Sequence, residues 1–257
     1  MNVASTTDDT EYADRSATRQ SPRRPERRRR LGPVAAVISV FGELLITAGL
    51  VMGLFVVYSL WWTNVIADRA ADKQADKVRD GWEHQDDGSG RPPEFDSGAG
   101  IGFLHVPAMS KSEILVEKGT TSKVLNDGVA GYYTDPVKAT LPTSDKKGNF
   151  SLAAHRDGHG AKFHNIHKIA EGDPIVFETK DKWYVYKVYS VLPETSKYNV
   201  QVLGDVPKES GKTKAGHYIT LTTCTPVYTS RYRYVVWGEL ERVEKVDEQR
   251  TPPKELR

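Results

Sequence analysis

The apolar positions of this chain fall into two patterns that do not mix. Residues 34–62 read VAAVISVFGELLITAGLVMGLFVVYSLWW, apolar nearly throughout, with Glu43 as the one charged side chain. From Leu44 to Trp62 nineteen residues pass without a charge. At about 1.5 Å of rise per residue they span about 28 Å, close to the ~30 Å hydrocarbon core of a bilayer. The run predicts a single membrane-spanning helix closed by Trp61 and Trp62, whose indoles favour the membrane–water interface. A cleaved signal peptide has a shorter apolar stretch, about 7–15 residues, and a small-residue cleavage site rather than this bulky end. Glu43 is expected near the cytoplasmic interface or against a partner helix.

The second pattern begins at residue 101. Short β-branched and aromatic runs recur with turn residues between them: Ile101–Val106, Ile114–Val116, Phe150–Ala154, Ile175–Thr179, Trp183–Val191, His217–Cys224 and Tyr232–Leu240. Such spacing predicts an all-β barrel or sandwich over 101–245. One short helix is expected around Thr121–Leu125 and another around Phe163–Ile169. The flanks differ in texture. Residues 1–33 are polar and basic, too poor in apolar surface to offset their ordering entropy, and are expected to be disordered. Residues 63–100 are expected to be a linker. Its first part, 63–81, is able to continue as helix, and its second part is rich in Gly, Pro, Ser and acids. Residues 246–257 form a C-terminal tail.

Charge adds orientation. Six arginines lie within Arg23–Arg30, ahead of the apolar run, while both signs mix after it. The positive-inside rule therefore places the N-terminus in the cytoplasm and residues 63–257 outside, in a single-pass protein of the cell membrane. A net charge of +2, with its basic part local, gives no footprint for nucleic acid.

The chemistry centres on Cys224, the chain's single cysteine. No disulfide can form within the chain, and the bland alternative is a buried, inert thiol. Its surroundings argue otherwise. In HYITLTTC the side chains alternate, so Thr220, Thr222 and Cys224 share one face. Pro226 then breaks the ladder close to the cysteine, and the next strand starts near Tyr232. If the two strands pair, Arg233 comes near Cys224, where a guanidinium favours the thiolate and can donate to an oxyanion. A thiol nucleophile also needs a proton-transfer partner. His155 is selected from seven histidines because it follows the apolar run FSLAA and opens a loop, Arg156-Asp157-Gly158. A metal site is not expected. His155 and His159 have the H-E-x-x-H spacing, but Arg156 stands in place of the glutamate, and Gly158 opposes a helix. No cofactor motif is present.

These residues resemble the sortase family, and most closely its class E. The resemblance covers about residues 101–240. It lies in Leu152-Ala153-Ala154-His155-Arg156, in Thr220-Leu221-Thr222-Thr223-Cys224, in Arg233 nine residues later, and in Gly148-Asn149 and Gly172-Asp173 around the histidine strand. Departures are Ala154 where Gly is frequent, Val129-Ala130-Gly131-Tyr132-Tyr133 where Gly-Pro-Gly-His-Tyr is frequent, and Thr225 where class E members often have His. The resemblance implies an eight-stranded β-barrel, with His155, Cys224 and Arg233 as the catalytic set. It implies substrates that are secreted proteins with a Leu-(Pro or Ala)-x-Thr-Gly sorting signal. The expected acceptor is an amine of a lipid-linked peptidoglycan precursor or of a pilin. It also suggests that the long connection 193–216 binds the front of the signal, while Thr222, on the Cys224 face, is expected to bind substrate near the scissile bond. Two other readings use the same residues: another wall-active cysteine enzyme, such as an L,D-transpeptidase or Cys/His peptidase, or a non-enzymatic membrane-tethered β-domain.

Overall fold

A computed structural model describes residues 32–84 and 100–257. The arm expected to be disordered and the later part of the expected linker lie outside these residues, apart from their ends. Helix α1 runs from Pro33 to His84. It is long and apolar enough to cross a membrane, and large apolar side chains along it, among them Val34, Phe41, Leu45, Leu54, Phe55 and Trp61, are exposed.

The helix does not stop at Trp62. The first part of the segment expected to be a linker, 63–84, is helical, as its Ala, Asp and Lys content permits. Ala71, Ala75, Val78 and Trp82 recur on one face at steps of four, three and four, and pack on Phe103, Leu115, Val124 and Val129. That stripe is the sequence signal for a docked helix.

Eight strands close into a barrel. They are β1 (Gly102–His105), β2 (Ile114–Lys118), β3 (Ala130–Tyr132), β4 (Gly148–Ala153), β5 (Pro174–Glu178), β6 (Lys182–Ser196), β7 (His217–Thr225) and β8 (Tyr232–Lys245). The order around the ring is β1-β2-β3-β4-β7-β8-β6-β5. The three-residue β3 escaped the sequence pattern because it is too short to show alternation. Helix α2 (Ser122–Leu125) falls where a short helix was expected. The second expected helix is a 3-10 turn, Ile166–Lys168.

Alternation sorts the side chains of β7. Ile219 and Leu221 enter the barrel interior beside Phe150, Leu152 and Val236. The opposite face, with Thr220, Thr222 and Cys224, is covered by the β6–β7 connection. Val202 and Leu203 of that connection pack on Val235 and Trp237, and the Trp237 indole donates to the Val202 carbonyl at 3.0 Å. Asn149 ties the layers together: it donates to the Leu203 carbonyl at 3.0 Å and accepts from Thr220 at 2.8 Å. The C-terminal tail also docks, with Val246 and Leu256 against Val176, Trp183 and Val185.

Candidate active site

The site lies where three strands end. β7 and β8 pair in antiparallel register with Cys224 directly opposite Arg233. β4 runs parallel to β7, with Ala153 beside Thr222. Past the strand end, the Thr223 hydroxyl donates to the Ala154 carbonyl at 2.7 Å. The residue after Ala154 is His155, so the histidine is delivered to the same end of the sheet as the thiol. His155, Cys224, Arg233 and Thr222 line one cavity of ≈ 330 Å³. Its further wall comes from Tyr133 and from the β6–β7 connection, through Lys197, Asn199, Val200, Val202 and Leu203.

Each group has few partners. Cys224 is a free, partly exposed thiol. His155 Nε2 meets Asn126 Oδ1 at 2.9 Å. An amide oxygen only accepts, so Nε2 carries the proton there and Nδ1 is the open nitrogen of the neutral ring. Burial pushes the His155 pKa down, and the neighbouring His159 pushes the same way, against Asp157. The two imidazoles lie 5.4 Å apart. Arg233 Nη1 donates to the carbonyls of Tyr232 at 3.0 Å and Ser230 at 3.3 Å. That leaves Nε and Nη2 directed to no partner among the described residues.

Thr222 is less open than its position suggested, at 2% exposure. Its hydroxyl donates to the Leu152 carbonyl at 3.0 Å, so in the 2.9 Å contact with Tyr133 the tyrosine is the donor. Tyr133 thus stands between Thr222 and much of the cavity. Three residues escaped the reading of the sequence as members of the site: Tyr133, Asn126 and Arg156. Arg156 is buried and donates to Thr225 Oγ1 at 2.8 Å and to the Cys224 carbonyl at 3.3 Å, which fixes the backbone of the thiol. Asn126 carried a faint signal, an Asn-Asp-Gly turn after a helix.

A family profile described as Sortase domain matches residues 104–241. The chain belongs to the sortase family. It is 75% identical to Sortase SrtE2 of Streptomyces coelicolor over 99% of this chain and 100% of that protein. Identity to Sortase SrtE1 of the same organism is 45%, over 87% of this chain and 62% of that one. Among solved structures, that of Sortase E1 from Streptomyces coelicolor with a tripeptide in the active site superposes with TM-score 0.57, covering 61% of this chain and 96% of that one. Sortase E from Streptomyces avermitilis is 30% identical, with TM-score 0.55, over 63% and 100% of the two chains. This sortase is therefore a cysteine transpeptidase of the class E kind that acts on proteins bearing a sorting signal, and its N-terminal apolar helix is of the type that anchors a chain in a membrane.

One cluster elsewhere resembles a metal site. His105, Glu113 and Glu178 bring three ligand atoms close together. Both oxygens of Glu178 already receive Arg79, and Arg250 joins them. Two guanidinium groups at the same carboxylate oppose a cation there, so this is an ion-pair hub.

Proposed function

We propose that Cys224, His155 and Arg233 carry transpeptidation at a Leu-(Pro or Ala)-x-Thr-Gly signal on the outer face of the membrane. The observation that supports this most directly is the Cys224–Arg233 register, with His155 on the same cavity. The Cys224 thiolate attacks the Thr carbonyl, forming a C–S bond, and the carbonyl oxygen takes up the negative charge. Arg233 donates to that oxyanion. As the C–N bond to Gly breaks, protonated His155 gives its proton to the leaving amine, and a thioacyl-enzyme remains. An amine of a peptidoglycan precursor or of a pilin lysine then attacks, with neutral His155 as base and Cys224 as leaving group. Tyr133 presents its ring and hydroxyl oxygen to the residues before the scissile bond, with Thr222 fixing that tyrosine from behind. The β6–β7 connection, 197–203, meets the front of the signal.

Anchoring through α1, N-terminus inside, holds enzyme and membrane-tethered substrates on one surface and raises their effective concentration. One experiment tests chemistry and orientation together. Membrane-impermeant peptides varied between Pro and Ala at the second position are supplied to the full-length protein, in detergent micelles and on spheroplasts. Intact-mass spectrometry should show a thioacyl adduct in both settings, and none with Cys224→Ala. No adduct with any peptide in micelles defeats the chemistry. An adduct in micelles but not on spheroplasts defeats the orientation alone.

A further inference from the structure

The loop after His155 has a conformation that it does not hold by itself. Gly158, His159, Gly160 and Ala161 all have positive φ, at 64°, 47°, 78° and 40°. For His159 and Ala161 this is an unfavourable region that persists only where surrounding contacts fix it. The loop closes back on the histidine, since Phe163 N–H donates to the His155 carbonyl at 3.0 Å. One outer contact goes to the β7–β8 connection, where Tyr228 N–H donates to Asp157 Oδ2 at 2.6 Å; two others go to α1. Gly160 N–H donates to Asn64 Oδ1 at 3.0 Å, and Lys162 Nζ pairs with Asp68 Oδ1 at 2.9 Å.

The second loop that holds His155 touches the same helical turn. Asn126, the partner of His155 Nε2, is followed two residues later by Gly128 at φ 74°. A Cβ on Gly128 would lie 2.8 Å from the Ala67 carbonyl, and one on Gly160 would lie 2.9 Å from Asp68 Oδ1 and 3.3 Å from Gly128 Cα. Both glycines mark places where loop backbone lies against α1. Asn64, Ala67 and Asp68 share one helical face at steps of three and four. Asn64 stands two residues past Trp62.

We infer that the extramembrane end of α1 is part of the catalytic scaffold: Asn64 and Asp68 are positioning residues that hold the loop after His155, while α1 at Ala67 lies against the Asn126–Gly128 loop on its other side. The inference rests on the reading of His155 as the acid/base. It makes the anchor helix a determinant of turnover as well as of location. The peptide groove itself, between β7, β8 and the 197–203 connection, takes no lining residue from α1 among the described residues, so substrate binding is left unchanged.

The test uses the full-length chain in detergent micelles and a peptide that the wild type cleaves. Asn64→Ala/Asp68→Ala should lower kcat about tenfold with KM within about twofold, because small misplacement of an acid/base costs rate rather than affinity. Asn64→Asp keeps an acceptor for the Gly160 N–H and should retain most of the kcat that Asn64→Ala loses. Lys73→Ala, exposed on the same helix, should behave as wild type. If the double variant fails to fold, Asp68→Ala alone serves, since its carboxylate is half exposed. A kcat within about twofold of wild type, or Asn64→Asp no better than Asn64→Ala, overturns the inference while leaving the proposed chemistry intact. A wild type that forms no thioacyl adduct overturns that chemistry, and this inference with it.

Discussion

Two clusters of ionisable side chains sit across the ring of strands from one another, and they are built in opposite ways. At the β1–β5 seam the Glu178 carboxylate is 2% exposed. It receives Arg79 at 2.5 and 2.9 Å, Arg250 at 2.6 Å and His105 at 2.9 Å. Burial alone would raise its pKa, but hydrogen bonds from His105, Arg79 and Arg250 outweigh burial and hold it at about 2. At the β4–β7 seam His155 has one side-chain hydrogen-bond partner among the described residues, Asn126, and burial lowers its pKa with nothing to reverse the effect fully. Saturation fixes a charge state and serves structure. Scarcity of partners leaves a group free to change its state during a reaction. Charge content alone does not separate the two clusters; the count of partners per charged atom does.

The two clusters should separate most sharply under substitution at the cleft. Cys224→Ala should abolish thioacyl formation outright. His155→Ala and Arg233→Ala should lower turnover by roughly 10²–10³, the usual cost of losing a proton-transfer group or an oxyanion donor. Arg233→Lys should also be poor, because a compact ammonium cannot reproduce the guanidinium fork. The melting temperature should barely move in any of these variants, since none removes a saturated partner. A His155→Ala enzyme that loses stability while keeping its rate would erase the distinction.

The hub should give the mirror image. Glu178→Ala leaves Arg79 and Arg250 facing each other without their shared carboxylate. Removing one side of a buried ion pair costs about 3–5 kcal/mol. For a domain of this size that lowers the melting temperature by roughly 10 °C. Well below that temperature kcat should stay near the wild-type value, since the hub touches neither the cavity nor the His155 loop. Acid should reach the same end point in the wild type. The folded pKa of Glu178 is depressed, so its stabilisation is complete above the ordinary carboxylate pKa and is lost as pH falls towards about 2. Thermal melts of wild type and variant should therefore converge at low pH, and a constant gap between them would contradict the assignment.

The two regions also differ in how far the sequence exposes them. Seven of the eight strands announce themselves as β-branched runs, and the cysteine strand reveals its register through the turn at Pro226 and the position of Arg233. The Cys224–Arg233 pair follows from local pattern, because a hairpin brings near neighbours in sequence together. His155 needed a strand end and a resemblance, because its parallel partner β7 is far away in the chain. Asn126, Tyr133 and Arg156 act through contacts that no periodicity encodes. The Glu178 hub is less legible still: its five participants come from α1, β1, the β1–β2 connection, β5 and the tail. The Thr222 reading shows the limit of face arguments. Alternation placed it correctly beside Cys224, but the cover supplied by Tyr133 is tertiary.

The smallest expected effect is also the most specific to the cleft. His159 and Asp157 act on His155 with opposite signs, the first lowering its pKa and the second raising it, while burial supplies the main depression. His159 sits at φ 47°, a region that Asn tolerates well. His159→Asn therefore removes the neighbouring imidazole that lowers the His155 pKa without straining the loop. The pKa of His155 should rise towards its ordinary value, because one source of depression is gone and Asp157 is unopposed. A group that must be protonated to serve as the acid keeps its proton to higher pH when its pKa rises. The pH limb of kcat that reports loss of that proton should move upward, and a histidine proton titration by NMR should show the same direction for His155. Burial by the β4 end and the Asn126 contact persists in the variant, so the shift should stay below a full return to the free imidazole value. A limb that moves downward, or one that does not move while the NMR titration does, would mean that another group controls the acid step.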